Sequence, residues 1–188
     1  DELEAAIVDA TRSWPDHLHD ALHAAHGEGR GQILYARYRD AFPPGYKERF
    51  NAEQAVADVD VIERTIADGS LGMTLYRPFG SPDWAMRFKV FVPGEPIVLS
   101  QVLPMLEHLG LRVIDEVPHA VRVAGAGPGA PMVMIHDFGL QTRSAAPIDL
   151  GGVRANFQEA FLAAWQGRAE SDLFNALVIA FFGDFRVA

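Results

Sequence analysis

The sequence predicts an α+β fold in which a small helical unit precedes an antiparallel sheet carrying helices on one face. Three observations lead there. Apolar residues recur at about 3.6-residue spacing as far as Gly69 and at two-residue spacing from Leu71 onward. The later segments run strand, strand, helix, strand, strand, helix, an order that builds an antiparallel sheet. Finally, 188 residues with 49% hydrophobic and 22% charged side chains can bury a core, yet leave room for only one large domain or two small ones.

The elements follow in chain order. Leu3, Ile7, Trp14, Leu18 and Leu22 form one helical stripe, which Pro15 must kink or restart after Ser13. Gly27, Gly29 and Gly31 punctuate it, and a second helix carries Ile33, Leu34, Tyr38 and Phe42 up to Pro43 and Pro44. Asn51 followed by Gln54 resembles a capping box. It opens a third helix with Ala55, Val59, Ile62 and Ile66 inward, closed by Gly69. Met73 to Arg77 and Met86 to Val92 read as strands. The second places Met86, Phe88, Val90 and Val92 on one face and Arg87 and Lys89 on the other. A turn over Pro93, Gly94, Glu95 and Pro96 leads into a helix with Val98, Val102, Leu106 and Leu109, stopped by Gly110, with Pro104 bending its middle. Strands Leu111 to Val123 and Met132 to Leu140 flank a glycine-rich loop, and Leu150, Val153, Phe157, Phe161 and Ala164 stripe a helix ending near Gly167. The order is that of a ferredoxin-like sandwich. Three regions are expected: 1–70 helical, 71–168 α+β, and 169–188 an apolar helix. Asp1, already in helical register, and the apolar Leu173 to Phe185 predict a segment cut from a longer chain.

Charge and composition narrow the function classes. A net charge of -9 repels phosphate backbones, so nucleic acid is not an expected partner. The longest apolar run, Ala176 to Phe182, is far below the ~20 residues that span a bilayer, so no membrane partner is expected either. The absence of cysteine removes disulfides and thiolate chemistry and is compatible with a cytoplasmic location.

The chemical motifs are weak. His19, His23 and His26, at i, i+4 and i+7, could present imidazoles to zinc, but the helical wheel turns them away from the Leu18 and Leu22 stripe and favours an exposed polar face. The glycines at 125, 127 and 129 enter a strand rather than a helix, which argues for a hairpin loop and against a phosphate cradle. Asp115 and Glu116, like His136 and Asp137, are neighbours on strands and face opposite sides. Neither lysine, Lys47 or Lys89, has surroundings that suggest desolvation. The strand-to-helix turn differs in kind. Gly94 permits close backbone approach, and the helix start, with Glu95 before it and Ser100 in its first turn, favours an anionic group such as an amino-acid carboxylate.

Leu99 to Glu116, LSQVLPMLEHLGLRVIDE, is similar to the signature "LSDVLP.LE..GLRV.DE" of the large bacterial NAD-specific glutamate dehydrogenases. Trp14, Leu18, Tyr38, Ala41, Phe42, Pro43, Tyr46 and Asp58 extend the resemblance upstream, through that family's "aFP..Y" segment. Asp137, Phe138, Phe157, Ala160, Phe161, Trp165, Gly167, Ala169, Glu170, Asp172, Phe174, Asn175 and Leu177 extend it downstream. The Phe182-Gly183-Asp184-Phe185-Arg186 string departs from the family's Trp-Arg pair.

The resemblance implies a middle slice of an enzyme that deaminates glutamate to 2-oxoglutarate and ammonium with NAD. It implies an ACT-like regulatory module, with Met73 to Arg77 taking the edge that an ACT unit gives to its fourth strand. The family's catalytic lysine and dinucleotide-binding glycines have no counterpart here, so no catalytic, metal or cofactor-binding residue is expected in this segment and NAD belongs to the parent. Expected partners are neighbouring domains and subunits of a homo-oligomer, and an amino-acid effector at Gly94, Glu95 and Ser100. The other reading is an interaction scaffold that binds no ligand.

Overall fold

The computed structural model describes residues 12–125, 129–143 and 145–168. The Leu3 and Ile7 stripe, the centre of the glycine-rich loop and the apolar 169–188 segment lie outside the described residues.

Helix α1 (Trp14–Tyr38) starts where Ser13 and Pro15 predict, with the Ser13 amide donating to Asp16 Oδ2 at 2.9 Å. It is broken at Gly27, whose φ of 76° and ψ of 172° suit only glycine, so the chain folds back as a hairpin of two legs. Gly31 lets the second leg close on the first, since a Cβ there would lie 2.8 Å from the Cα of His23. Leu18, Leu22, Leu34 and Tyr38 point inward, whereas Ile33, placed by sequence on the inner stripe, is 63% exposed. A single turn, α2 (Pro44–Lys47), buries Tyr46. Helix α3 (Ala52–Asp68) carries the expected capping box, with Gln54 N donating to Asn51 Oδ1 at 2.8 Å, and ends at Gly69 with φ 61°.

Strands β1 (Gly72–Tyr76) and β2 (Ala85–Pro93), helix α4 (Leu99–His108), strands β3 (Leu111–Arg122) and β4 (Met132–Thr142), and helix α5 (Leu150–Trp165) complete the described fold. The strands form one antiparallel four-stranded sheet in the order β1-β2-β4-β3. Strand β1 therefore holds an edge, beside β2, as the ACT resemblance implied, and the fold is α+β and ACT-like. Helices α4 and α5 cover one face, where Met86, Phe88, Val90, Phe138 and Leu140 meet Val102, Leu106, Phe157 and Phe161.

The helical unit covers the other face, an arrangement that the sequence pattern did not place. Tyr46, Phe50, Ala55, Val59 and Ile62 pack on Phe91, Val121, Val133 and Ile135. Gly72 allows that approach, because a side chain there would fall onto Thr65 and Val61 of α3. Backbone bonds tie the two parts: Arg122 N donates to Ala41 O at 3.1 Å and Ala124 N to Arg37 O at 3.0 Å.

Candidate functional site

The strand-to-helix turn is built by two local features. Gly94 adopts φ 83° and its amide donates to Met132 O at 2.8 Å, fixing the turn against the start of β4. Helix α4 is capped by Val98, which offers no side-chain hydrogen bond to the first-turn amides. Gly94, Glu95 and Ser100 are all exposed. The Ile97 amide is engaged, donating to His136 Nε2 at 3.2 Å. With Nε2 accepting, Nδ1 carries the proton and donates to Glu116 Oε1 at 2.7 Å. His136 thus pins the turn to the centre of the sheet.

The next residue on β4, Asp137, points to the opposite face and is completely buried. Arg87 answers it. Its Nε lies 3.0 Å from both Asp137 carboxylate oxygens, and its Nη2 donates to the Asp137 carbonyl and to Asp115 Oδ1, each at 2.9 Å. Tyr76 Oη adds a longer bond to Asp137 at 3.2 Å. Burial opposes the Arg87 charge, but its bonds to Asp137 and Asp115 outweigh that and raise its pKa.

One register step along, Lys89 donates to Asp58 Oδ2 of α3, and Tyr46 Oη donates to the same oxygen at 2.6 Å. The Lys89 ammonium sits 3.7 Å from the centre of the Phe50 ring, with Tyr46 and Tyr76 also beside it. Burial drives the Asp58 carboxyl above the usual range, and the Lys89 ammonium and the two hydrogen bonds pull against it. Burial likewise raises the Tyr46 hydroxyl, which stays a donor.

Two readings need correction. Lys89 is 4% exposed, not free of desolvating neighbours, because the helical unit folds across its side of the sheet. The histidines of α1 are not an exposed polar face either. The hairpin at Gly27 swings Tyr35 edge-on to His19 at 5.0 Å and leaves His23 and His26 only 12% and 14% exposed, His26 facing Asp60. No three His, Asp or Glu residues among the described residues are grouped to hold a metal. The glycine-rich segment leads into strand β4, as expected.

Sequence reasoning missed the cluster of Asp58, Arg87, Lys89 and Asp137. The signal was present in Val133 to Leu140, which is apolar on both alternating faces. Such a strand is covered on both sides, so a carboxylate within it must be paired.

Comparisons with known proteins fit this architecture. Residues 70–153 match the family described as "Glutamate dehydrogenase, ACT3 domain", and residues 21–64 match "Glutamate dehydrogenase, helical motif 2". The NAD-specific glutamate dehydrogenase of Halomonas elongata is 39% identical over 184 residues, 98% of this chain. The chain belongs to the NAD-specific glutamate dehydrogenase family. The corresponding proteins of Pseudomonas aeruginosa and Mycobacterium tuberculosis are 33% identical over 177 residues and 29% identical over 184, each covering 94% of this chain. The chain spans 11% of the length of these curated relatives. Seen against the glutamate dehydrogenase modules, the helical hairpin and α3 contain the helical-motif match, and the sheet with α4 and the start of α5 contains the ACT3 match. No helix among the described residues is long and apolar enough to cross a membrane.

Proposed function

We propose that this chain is a regulatory and assembly segment of a cytoplasmic, homo-oligomeric NAD-dependent glutamate dehydrogenase. The parent would convert L-glutamate, NAD and water to 2-oxoglutarate, ammonium and NADH, with the chemistry and the NAD site outside this segment. The observation that carries the reading is the coincidence of the ACT3 match with a sheet of the ACT order whose free edge is filled by β1. The effector is an amino acid whose carboxylate docks at Gly94 and the first turn of α4, near Glu95 and Ser100. An exposed glycine with φ 83° and a helix start without a side-chain cap support that placement. His136 would pass occupancy of the turn to β4 through Ile97.

The test is a titration of the chain with single amino acids at millimolar concentration, followed by calorimetry and by amide shifts. Shifts over residues 93–100 are the expected result. Their absence removes the effector and leaves the scaffold reading, which the exposed Val98, Leu99 and Ile114 favour as contacts for neighbouring domains.

A further inference from the structure

We propose that the end of the sheet's polar face left open among the described residues is a second binding site, for a small zwitterion that presents a carboxylate to Arg87 and an ammonium group to Asp115. Across neighbouring strands the side chains emerge in steps, from Asp137 at 0% to Arg87 at 15% and Asp115 at 51% exposed. There a cavity of about 160 Å³ opens, lined by Ala85, Arg87, Ile114, Asp115, Gly139 and Gln141 among others.

The chain builds this cavity with a glycine and a bulge. Gly139 lies inside β4 between the buried Phe138 and Leu140, where a glycine weakens a strand unless close approach requires it. A Cβ at this position would lie 2.7 Å from Asp115 Oδ1 and 3.1 Å from Arg87 Nη1, so both groups border the space a side chain would fill. The register of β3 against β4 shifts between Val113 and Asp115. Ile114 is the extra residue, and the shift sets Asp115 opposite Gly139.

Hydrogen-bonding capacity remains at both ends. Arg87 spends Nε and Nη2 on Asp137 and Asp115, and among the described residues Nη1 makes no hydrogen bond. Asp115 accepts from Arg87 only through Oδ1. Arg87, together with Arg49 at 3.9 Å from Asp137 Oδ2, balances the Asp137 and Asp115 carboxylates, so the site offers no net charge to a plain anion or cation and suits a ligand carrying both signs. The cavity is smaller than the roughly 300–1,000 Å³ of drug-sized sites and fits a compact α-amino acid. It lies at the opposite end of β2 from Gly94, roughly 25 Å away along the nine-residue strand. A regulatory role for this site rests on the function proposed above, whereas binding there does not.

The experiment titrates the isotope-labelled chain with glycine and with L-glutamate, and separately with acetate and with methylamine. Shifts centred on Ile114, Asp115, Gly139 and the Arg87 guanidinium are expected with the amino acids. Acetate and methylamine should each bind at least about tenfold more weakly, as loss of one charge-assisted contact implies. Asp115→Asn, checked for an intact spectrum, should weaken glycine by a similar factor. Unperturbed signals at these residues, or equal affinity for glycine and acetate, overturn the proposal without needing any variant. Shifts confined to residues 93–100 overturn it and leave the effector turn standing, while shifts confined to residues 114–139 support it and count against the turn.

Discussion

The two faces of one sheet solve the same burial problem with different chemistry. Under α4 and α5, Phe88 meets Phe157 and Phe161 edge-on at 4.9 and 5.0 Å in an almost wholly apolar layer. Under the helical unit, Lys89 and Asp58, 4% and 3% exposed, are buried as a pair beside Arg87 and Asp137. Apolar packing is tolerant of small shifts, whereas a buried ion pair is satisfied in one geometry only. The contrast teaches that the ACT sheet and the preceding helical motif are joined by position-specific ion pairs set within apolar packing, where Tyr46, Phe50, Val59 and Ile62 meet Phe91, Val121, Val133 and Ile135.

Two truncations break the comparison most sharply. Phe88→Ala removes the centre of the apolar layer and should cost about 3–5 kcal/mol in denaturant unfolding, with no second substitution expected to restore it. Lys89→Ala should cost a comparable 3–5 kcal/mol by stranding the Asp58 carboxylate. Here a partner change matters: Asp58→Leu combined with Lys89→Met should recover most of the loss, because the desolvation of both charges disappears together. A double variant no more stable than Lys89→Ala would show that the pair is worth more than its burial costs.

The asymmetry also explains what could be read from sequence. The apolar face is written in period two on β2 and period 3.6 on α5, so its residues and its helices were legible from Met86, Phe88, Phe157 and Phe161 alone. The break after Ser13 and the capping box at Asn51 were legible from local rules, and the edge position of β1 was implied by the ACT resemblance. The polar face was not. Arg87 and Lys89 read only as the opposite face of β2, since nothing local says that α3 will place Asp58 above them, 31 residues away in sequence from Lys89. The α1 histidines were misread for the same reason, because one glycine turned a solvent face into a contact with Tyr35. Of the candidate sites, the turn was visible as a motif. The Arg87 and Asp115 cavity depends on a bulge and a cross-strand register that no single segment encodes.

Acid provides a smaller and separable break. His119 is 3% exposed between Tyr46 and Phe50, and among the described residues its Nε2 has no hydrogen-bond partner. Burial, followed by weaker opposition from Asp137, takes its pKa from the usual 6.5 down to about 4. Between those values the unfolded chain binds the proton and the folded chain does not. Stability is therefore full above pH 6.5 and is lost as pH falls toward 4, by on the order of 3 kcal/mol. Asp58, with its raised pKa, has the opposite sign: protonation favours the fold, and its contribution is lost as pH rises through the folded value. His119→Leu should flatten the acid slope of the unfolding midpoint. An unchanged slope would place the titrating group elsewhere.

The smallest effects test how redundantly each buried carboxylate is held. Asp58 receives one ammonium and one hydroxyl, with Tyr46 at 2.6 Å, so Tyr46→Phe removes one of two donors from a buried acceptor and should cost about 1.5–3 kcal/mol. Asp137 keeps both oxygens on Arg87 whether or not Tyr76 is present, and the Tyr76 contact is long at 3.2 Å. Tyr76→Phe should therefore cost only about 0.5–1 kcal/mol. Equal losses in thermal unfolding would mean that the two carboxylates share one network and not two. In that case, a ligand engaging Arg87 at the open end of the face would be felt at Asp58 as well, through Asp137 and the register neighbour Lys89.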